Sequence, residues 1–106
     1  MTSQLEVYVR SNEGGNKPHF YIWDKNTQGQ KFHTCVEIKK SVYFHHTGKE
    51  DVLNSKQKKS LIKFLSTNSE DFPGMTLWNV LVRLWNMSNS NMKVDPNLKM
   101  PDYMTL

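Results

Sequence analysis

The fold is decided by three consecutive segments, which read Pro18-His19-Phe20-Tyr21-Ile22-Trp23, Phe32-His33-Thr34-Cys35-Val36-Glu37-Ile38 and Val42-Tyr43-Phe44-His45-His46. β-Branched and aromatic residues dominate all of them, and such residues favour β-strands. The polar stretches between the segments are typical of turns. The same segments hold all four histidines of the chain. The pattern therefore predicts adjacent strands on which the histidines are gathered.

Side chains alternate between the two faces of a strand, and this sorts the segments into an apolar set and a polar set. The predicted apolar face carries Phe20, Ile22, Phe32, Val36, Ile38, Val42 and Phe44. The predicted opposite face carries His19, Tyr21, Trp23, His33, Cys35, Glu37, Tyr43 and His45. We expect the apolar face to pack on the core and the other face to stay open to solvent or to a partner.

The residues on either side of these segments complete the predicted sheet. Residues 5–10 alternate and are rich in β-formers, which predicts a first strand, and residues 11–17 contain two glycines, which predicts a turn. Residues 24–31 predict a hairpin loop, and Lys39-Lys40-Ser41 predicts a tight turn into the last segment. The result is an antiparallel meander of about four strands.

Two helices are predicted after the strands. Asn54 or Ser55 is a suitable N-cap for a helix that runs through Leu65. Thr76 can cap a second helix, in which leucine and tryptophan recur with a helical period over a wide apolar face. That width predicts that the second helix is the principal helix packed on the sheet.

Prolines determine the end of the chain. Beyond Asn89, Pro96 and Pro101 cannot continue a helix, which predicts an extended C-terminal tail laid over the core. Strands followed by helices predict an α+β fold, with an antiparallel sheet of about four strands and two helices packed on one face. A chain of 106 residues can bury one modest core, so residues 1–106 are predicted to form a single domain.

Composition predicts a cytoplasmic protein of a bacterial host cell. The sequence has no run of about eighteen apolar residues and no signal-peptide pattern. One cysteine, Cys35, cannot form an intramolecular disulfide, which fits a reducing compartment. The chain contains no alanine and is rich in lysine and asparagine, as expected of an AT-rich gene. This bias indicates a low-GC bacterium, its phages or its mobile elements.

The histidines suggest chemistry that the remaining sequence does not support. A suitable strand register would place His19 and His33 about 5 Å apart at Cβ. With Glu37 or His45, such a pair could bind a divalent metal or act as general acid and base. The alternative is a semi-exposed polar surface. Metal-binding and catalytic motifs of known spacing are missing from the sequence, so we predict neither a cofactor nor catalytic residues, and we interpret Cys35 as a structural residue.

The charge points to a second kind of partner. The net charge is +4, and lysines concentrate between the third strand and the end of the first helix. These lysines are Lys39, Lys40, Lys49, Lys56, Lys58, Lys59 and Lys63. Lysines that contact phosphates, with Tyr21 and Trp23 stacking on bases, would hold single-stranded nucleic acid. The alternative is that the lysines solvate a surface helix.

One short motif carries a family resemblance. Lys17-Pro18-His19-Phe20-Tyr21-Ile22, followed by Cys35-Val36-Glu37-Ile38 and a tryptophan-bearing helix, resembles a family of small uncharacterised bacterial proteins marked by Pro-Pro-His-Phe-His. Members of that family are often encoded by mobile elements, sometimes beside toxin–antitoxin-like partners. Lys17 stands where the first proline is usual and Tyr21 where the second histidine is usual, so His19 is the position that carries over. The loss of the second histidine argues against a family-type metal or acid–base site in this chain.

These observations lead to three functional hypotheses. The favoured one is a small non-catalytic interaction protein of a phage or mobile element, which binds and inhibits a host or defence protein as anti-CRISPR proteins do. The alternatives are a nucleic-acid-binding regulator or toxin–antitoxin component, and an RNase-like toxin that uses His19 and His33. The predicted binding residues are His19, Tyr21, Trp23, His33, Glu37, Lys39, Lys40, Lys56 and Lys59. An exposed edge, formed by the first or the fourth strand, could pair with its copy in a dimer.

Overall fold

A computed structural model describes residues 5–10, 17–24, 32–44 and 52–106. Its elements are β1 (Leu5–Tyr8), β2 (His19–Asp24), β3 (Phe32–Glu37), α1 (Ser55–Ser66), α2 (Leu77–Ser88) and a short 3-10 helix (Tyr103–Thr105). The α+β class is thus confirmed. The predicted turns over residues 11–17 and 24–31 lie largely outside the described residues. His45, His46 and Lys49 lie outside them entirely.

The described sheet is an antiparallel meander in the order β1-β2-β3. Val7 lies opposite Ile22, and Phe20 lies opposite Val36. Paired residues share a face, so these four side chains form the apolar face. The prediction of about four strands is not confirmed, because the segment after β3 contributes a single isolated bridge, between Val36 and Tyr43.

The register of that bridge reverses the predicted side-chain directions of the segment after β3. The predicted turn Lys39-Lys40-Ser41 would pair Val36 with Phe44. In the structure Val36 pairs with Tyr43, and the Phe44 amide donates to the Cys35 carbonyl oxygen at 2.9 Å. A one-residue change of register moves every side chain of a strand to the other face. Tyr43 therefore lies on the apolar face and Phe44 on the opposite face, while Val42 is 42% exposed. The predicted assignment of all three was wrong.

Both helices begin at the residues that the sequence indicates. The Asn54 side chain accepts from the Gln57 amide at 2.8 Å, and the Gln57 side chain accepts from the Asn54 amide at 2.9 Å. Thr76 and Asn79 form the same reciprocal capping box at the start of α2. Such boxes satisfy amide groups that have no partner within the first turn of a helix. Both predicted N-caps are confirmed.

The apolar face and both helices share one core. The buried residues of this core are Leu5, Phe20, Ile22, Val36, Ile38, Leu53, Leu61, Leu65, Trp78, Leu81, Val82, Trp85, Val94 and Tyr103. Four of them lie on α2 at helical spacing, against two on α1. α2 therefore contributes more side chains to the core than α1 does.

The chain beyond α2 is attached to α2 by its tryptophans. The indole N–H groups of Trp78 and Trp85 donate to the main-chain oxygens of Leu98 and Met92, each at 2.8 Å. A buried indole needs such an acceptor, and these contacts hold the returning chain against the helix. The predicted extended tail is not confirmed, because the segment contains turns and ends in the 3-10 helix.

Thr34 places an unsatisfied hydroxyl in the core, and its removal is the first test of the fold. The side chain is fully buried opposite Ile22, and its Oγ1 has no hydrogen-bond partner in the described part of the chain. A buried polar group without a partner costs about 1–3 kcal/mol. We therefore expect Thr34→Val to raise the free energy of unfolding by about 1 kcal/mol, measured by urea denaturation.

Thr34→Ser is the matched control, because it keeps the hydroxyl and removes the methyl group. We expect it to lower the free energy of unfolding. A lower value for Thr34→Val as well would contradict the prediction, since it would mean that the hydroxyl is satisfied in solution.

Candidate functional site

The face predicted to carry the histidines is present as a set of cross-strand pairs. The pairs are His19 with Glu37, Tyr21 with Cys35, and Trp23 with His33. Glu6 and Tyr8 of β1 continue the same face, since they lie opposite Trp23 and Tyr21. We call these eight residues, together with Arg10 just beyond β1, the polar sheet face. The register therefore pairs with one another the residues of β2 and β3 that the sequence assigned to this face.

The register separates the two histidines that were expected to act together. His19 faces Glu37, whereas His33 faces Trp23, four positions farther along β2. At the rise of a β-strand this is about 13 Å, so the predicted His19–His33 pair is wrong. Among the residues that the structure describes, no three His, Cys, Asp or Glu residues are grouped to hold a metal ion. An RNase mechanism that uses His19 and His33 needs both imidazoles at one site, and this separation argues against it.

The polar sheet face is buried at three residues of the predicted binding site. His19 is 0% exposed, Tyr21 3% and Glu37 8%. The expectation of an open surface is thus wrong for these three residues. Trp23 is half-buried, and the exposed predicted residues are Lys39, Lys40, Lys56 and Lys59. The side chain of His33 lies outside the described residues.

Aromatic rings enclose His19. Phe44 stacks on the imidazole, with ring centroids 4.1 Å apart and ring planes at 7°. The Trp85 ring centroid lies 5.5 Å away. Nδ1 donates to the Lys17 carbonyl oxygen at 2.7 Å, which fixes the ring at the start of β2. His19 therefore packs against aromatic rings and anchors the start of β2. Phe44 covers it because the pairing of Val36 with Tyr43 turns Phe44 onto this face.

Tyr21 is enclosed by a second stack. Tyr8 lies parallel to it, with centroids 5.1 Å apart and ring planes at 10°. The Arg10 guanidinium carbon is 4.5 Å from the centroid of the Tyr21 ring and 5.9 Å from that of Tyr8. A guanidinium in this position is attracted by the negative face of the ring. The predicted stacking of Tyr21 on a nucleic-acid base would require this arrangement to open.

The exposed lysines of α1 form a row. Lys56, Lys59 and Lys63 occupy positions i, i+3 and i+7, and all of them are exposed. Residues at this spacing share one side of a helix. The helix contains no acidic residue, so the row has no opposite charge on its own element. We call these residues the lysine row.

The 3-10 helix links the lysine-bearing turn to α1. Thr105 Oγ1 donates to Ser41 Oγ at 2.7 Å, next to Lys40. One residue later the Leu106 main-chain oxygen accepts a hydrogen bond from Lys58 Nζ. The C-terminal residues therefore contact both segments that carry the exposed lysines.

An apolar stripe on α2 was missed by the sequence reasoning. Leu77, Val80, Leu84 and Met87 recur at intervals of three, four and three residues. Leu84 is 44% exposed and Met87 is 79% exposed, while Leu77 and Val80 are half-buried. We call these four residues the α2 stripe. The available signal was the width of the apolar face of α2, which exceeds what one layer of sheet can cover.

The Tyr103 hydroxyl is expected to make the stability of the fold depend on pH. Its hydroxyl donates to the Glu37 carbonyl oxygen at 2.8 Å, and its ring packs edge-on against Phe20. Burial raises the pKa of Tyr103 above its ordinary value of 10.0, and the nearby Glu37 carboxylate raises that pKa further. The neutral phenol is therefore the form that the fold stabilises.

Tyr103→Phe tests this contact. Below pH 10 we expect the variant to lose about 1–2 kcal/mol of unfolding free energy, because the Glu37 carbonyl loses its donor. Above pH 10 the unfolded chain ionises Tyr103 while the folded chain does not, so wild-type stability falls as the pH rises. The variant lacks this loss, and the gap in thermal midpoint between the two proteins should narrow above pH 10. A gap that stays constant would contradict the assignment.

No family model, curated protein or solved structure matches this chain. The resemblance to the Pro-Pro-His-Phe-His family thus stays a prediction. None of the described helices is both long enough and apolar enough to cross a membrane.

Proposed function

We propose that this chain is a small, non-catalytic protein-binding module of a phage or mobile element, and that it contacts its partner through the α2 stripe. The observation that carries the proposal is the exposure of Leu84 and Met87 on one side of a helix whose other side is in the core. Clustered apolar side chains at a protein surface mark interaction sites more often than isolated ones do. The phage or mobile-element origin is supported by composition alone.

The polar sheet face is a weaker candidate for the contact. His19, Tyr21 and Glu37 are buried, so a partner would have to displace Phe44 and the Arg10–Tyr21 contact to reach them. The α2 stripe requires no such rearrangement. Interfaces that are preorganised lose less free energy to ordering on binding.

Spacing and charge indicate what kind of surface would fit. Intervals of three and four residues form the seam along which two helices pack. Met87 has a flexible, polarisable side chain that adapts to irregular surfaces. The charged residue of α2 is Arg83, exposed beside Leu84, and the whole chain carries a net charge of +4. We therefore propose an amphipathic helix with acidic flanks as the partner element, presented by a host or defence protein that is inhibited when this helix is occupied.

A photo-crosslinker placed at Met87 tests the contact in the host cell. Val52 is the matched control position, because it is also an exposed apolar residue, at 70% against 79% for Met87. We expect a discrete crosslinked protein from position 87 and none from position 52. Equal crosslinking from both positions, or none from position 87, would contradict the proposal.

The variant Leu84→Glu/Met87→Glu provides the energetic test. Because both side chains are exposed, we expect the free energy of unfolding to change by less than about 1 kcal/mol. Binding to the crosslinked partner, measured by titration calorimetry, should weaken at least tenfold, since central apolar contacts contribute about 1–2 kcal/mol or more each. Unchanged binding in a folded variant would exclude the α2 stripe.

Nucleic-acid binding is the second candidate, and the lysine row favours it. Lys56, Lys59 and Lys63 are exposed together, with Lys39 and Lys40 on the turn that the 3-10 helix joins to α1. Rows of lysines bind phosphates irrespective of base sequence. The contribution of stacked bases is less well supported, because Tyr21 is buried.

Replacing Lys56, Lys59 and Lys63 by glutamine tests the lysine row. We expect a generic single-stranded oligonucleotide to bind in low salt, and the slope of log K against log salt concentration to fall by about 0.7 for each lysine that contacts a phosphate. Lys93→Gln/Lys99→Gln is the control on exposed lysines elsewhere, and it should leave the slope unchanged. Absence of any binding in low salt would exclude this function.

A further inference from the structure

The connection between α1 and α2 is a short hairpin closed by its own hydrogen bonds. It ends at Thr76, the N-cap of α2, and an isolated antiparallel bridge joins Thr76 to Asn68. Next to this bridge, the Ser69 amide donates to the Met75 carbonyl oxygen at 2.8 Å. Residues 70–74 therefore form the tip of a closed hairpin that is fixed to the start of α2.

The main chain of Phe72 is held in place on both sides. The Phe72 carbonyl oxygen accepts from the Met75 amide at 3.1 Å, across Pro73 and Gly74. Gly74 has a φ of 85°, so this is a type II turn, in which proline favours the second position and glycine the third. On the other side, the Phe72 amide donates to Ser69 Oγ at 3.2 Å. The tip is therefore preorganised.

This preorganised turn holds an aromatic ring in solvent. The side chain of Phe72 is 51% exposed, and it is not part of the core cluster of the described residues. Glu70, Asp71, Pro73 and Gly74 are exposed around it. We call residues 70–74 the acidic tip. Burial of a large aromatic side chain in a partner contributes strongly to binding, and here the ring is already outside the fold.

The acidic tip carries a charge opposite to that of the chain as a whole. The net charge of the chain is +4, whereas Glu70 and Asp71 place two adjacent carboxylates beside Phe72. In the part of the chain that the structure describes, no hydrogen bond or ion pair engages either carboxylate. Both charges are therefore available to basic groups of a partner.

We propose that the acidic tip is a second protein-binding site, at which Phe72 enters an apolar pocket rimmed by arginine or lysine side chains of a partner protein. Charge-assisted hydrogen bonds would join the rim to Glu70 and Asp71. A guanidinium on the rim can also lie over the face of the Phe72 ring. Because the tip is held by the hairpin, little ordering free energy is lost on binding.

Charge favours a basic protein pocket over the other occupants of such a tip. Nucleic acids and anionic lipid surfaces are negatively charged, so Glu70 and Asp71 would repel both. Charge also separates the tip from the α2 stripe, where Arg83 lies exposed beside Leu84 and suits an acidic partner element. The two surfaces therefore require partner elements of opposite charge.

A photo-crosslinker in place of Phe72 tests the contact in the host cell. Benzoylphenylalanine keeps an aromatic side chain at the tip, and Val52, which is 70% exposed, is the matched control position. We expect a discrete crosslinked protein from position 72 that resists nuclease treatment. The proposal is overturned by the absence of such a product, by a product made of two copies of this chain, by one that nuclease removes, or by the same product from position 52.

Neutral substitution of both acids tests the basic rim. Glu70→Gln/Asp71→Asn removes the negative charges with little change of shape. Ser90→Lys/Asn91→Lys is the control, because it makes an equal change of net charge at exposed residues outside the hairpin. Titration of the crosslinked protein in low salt should show binding at least about tenfold weaker for the tip variant and unchanged for the control. Unchanged binding in the tip variant, or an equal loss in the control, would contradict the proposal.

Truncation of the ring tests the anchor. Phe72→Ala should bind the crosslinked protein at least about tenfold more weakly than the wild type, as expected for an aromatic side chain in a pocket. Its free energy of unfolding should stay close to that of the wild type, because the ring lies outside the core cluster. Val52→Ala shortens another exposed apolar side chain and should bind normally. A folded Phe72→Ala variant with wild-type affinity would exclude the acidic tip.

Leu84→Glu/Met87→Glu separates this site from the α2 stripe. The variant should keep the crosslink from position 72, because the acidic tip does not include α2. Loss of that crosslink in the folded variant would mean that both surfaces form one interface, and the second site would be overturned. A crosslink from position 72 with none from position 87 would contradict the α2 stripe and support the acidic tip.

Discussion

The pairing of Val36 with Tyr43 determines which aromatic side chains cover each face of the sheet. It places the Tyr43 ring on the apolar side, where its hydroxyl accepts from the Leu53 amide at 2.8 Å, close to the start of α1. The same register directs Phe44 to the other side, where it stacks on His19. One bridge thus connects the sheet to the first helix and closes the face that would otherwise present an imidazole to solvent.

The closure of this face changes what its polar residues do. A buried imidazole must keep its hydrogen bonds, and His19 satisfies Nδ1 on the Lys17 carbonyl oxygen. Glu37 likewise engages the core through its main chain, whose carbonyl oxygen accepts from the Tyr103 hydroxyl. Residue types that often mark catalytic sites here hold β2, β3 and the end of the chain in register. Polarity alone therefore did not distinguish a structural role from a chemical one.

The sequence was sufficient wherever the decisive interaction is local. The helix starts at Asn54 and Thr76 follow from side chains three residues apart, and the shared face of His19 and Tyr21 follows from strand alternation. The turn after β3 was not predictable in the same way. Lys39-Lys40-Ser41 contains no glycine, asparagine or proline that would fix its length.

Features that depend on long-range packing could not be predicted from the sequence. Which side of α2 faces the core depends on how the sheet and the returning chain are placed, and this is not a property of α2 alone. Trp78 and Trp85 must lie inward because their indole groups bond to Leu98 and Met92, and that orientation leaves Leu84 and Met87 outside. The sequence reports an apolar helix, whereas only the fold divides it into a buried side and an exposed one.

The α2 stripe offers four apolar side chains and no strand edge, so it has no main-chain groups with which to recognise a partner. Selectivity at such a surface would come from the shape and the flanking charge of the element that it binds.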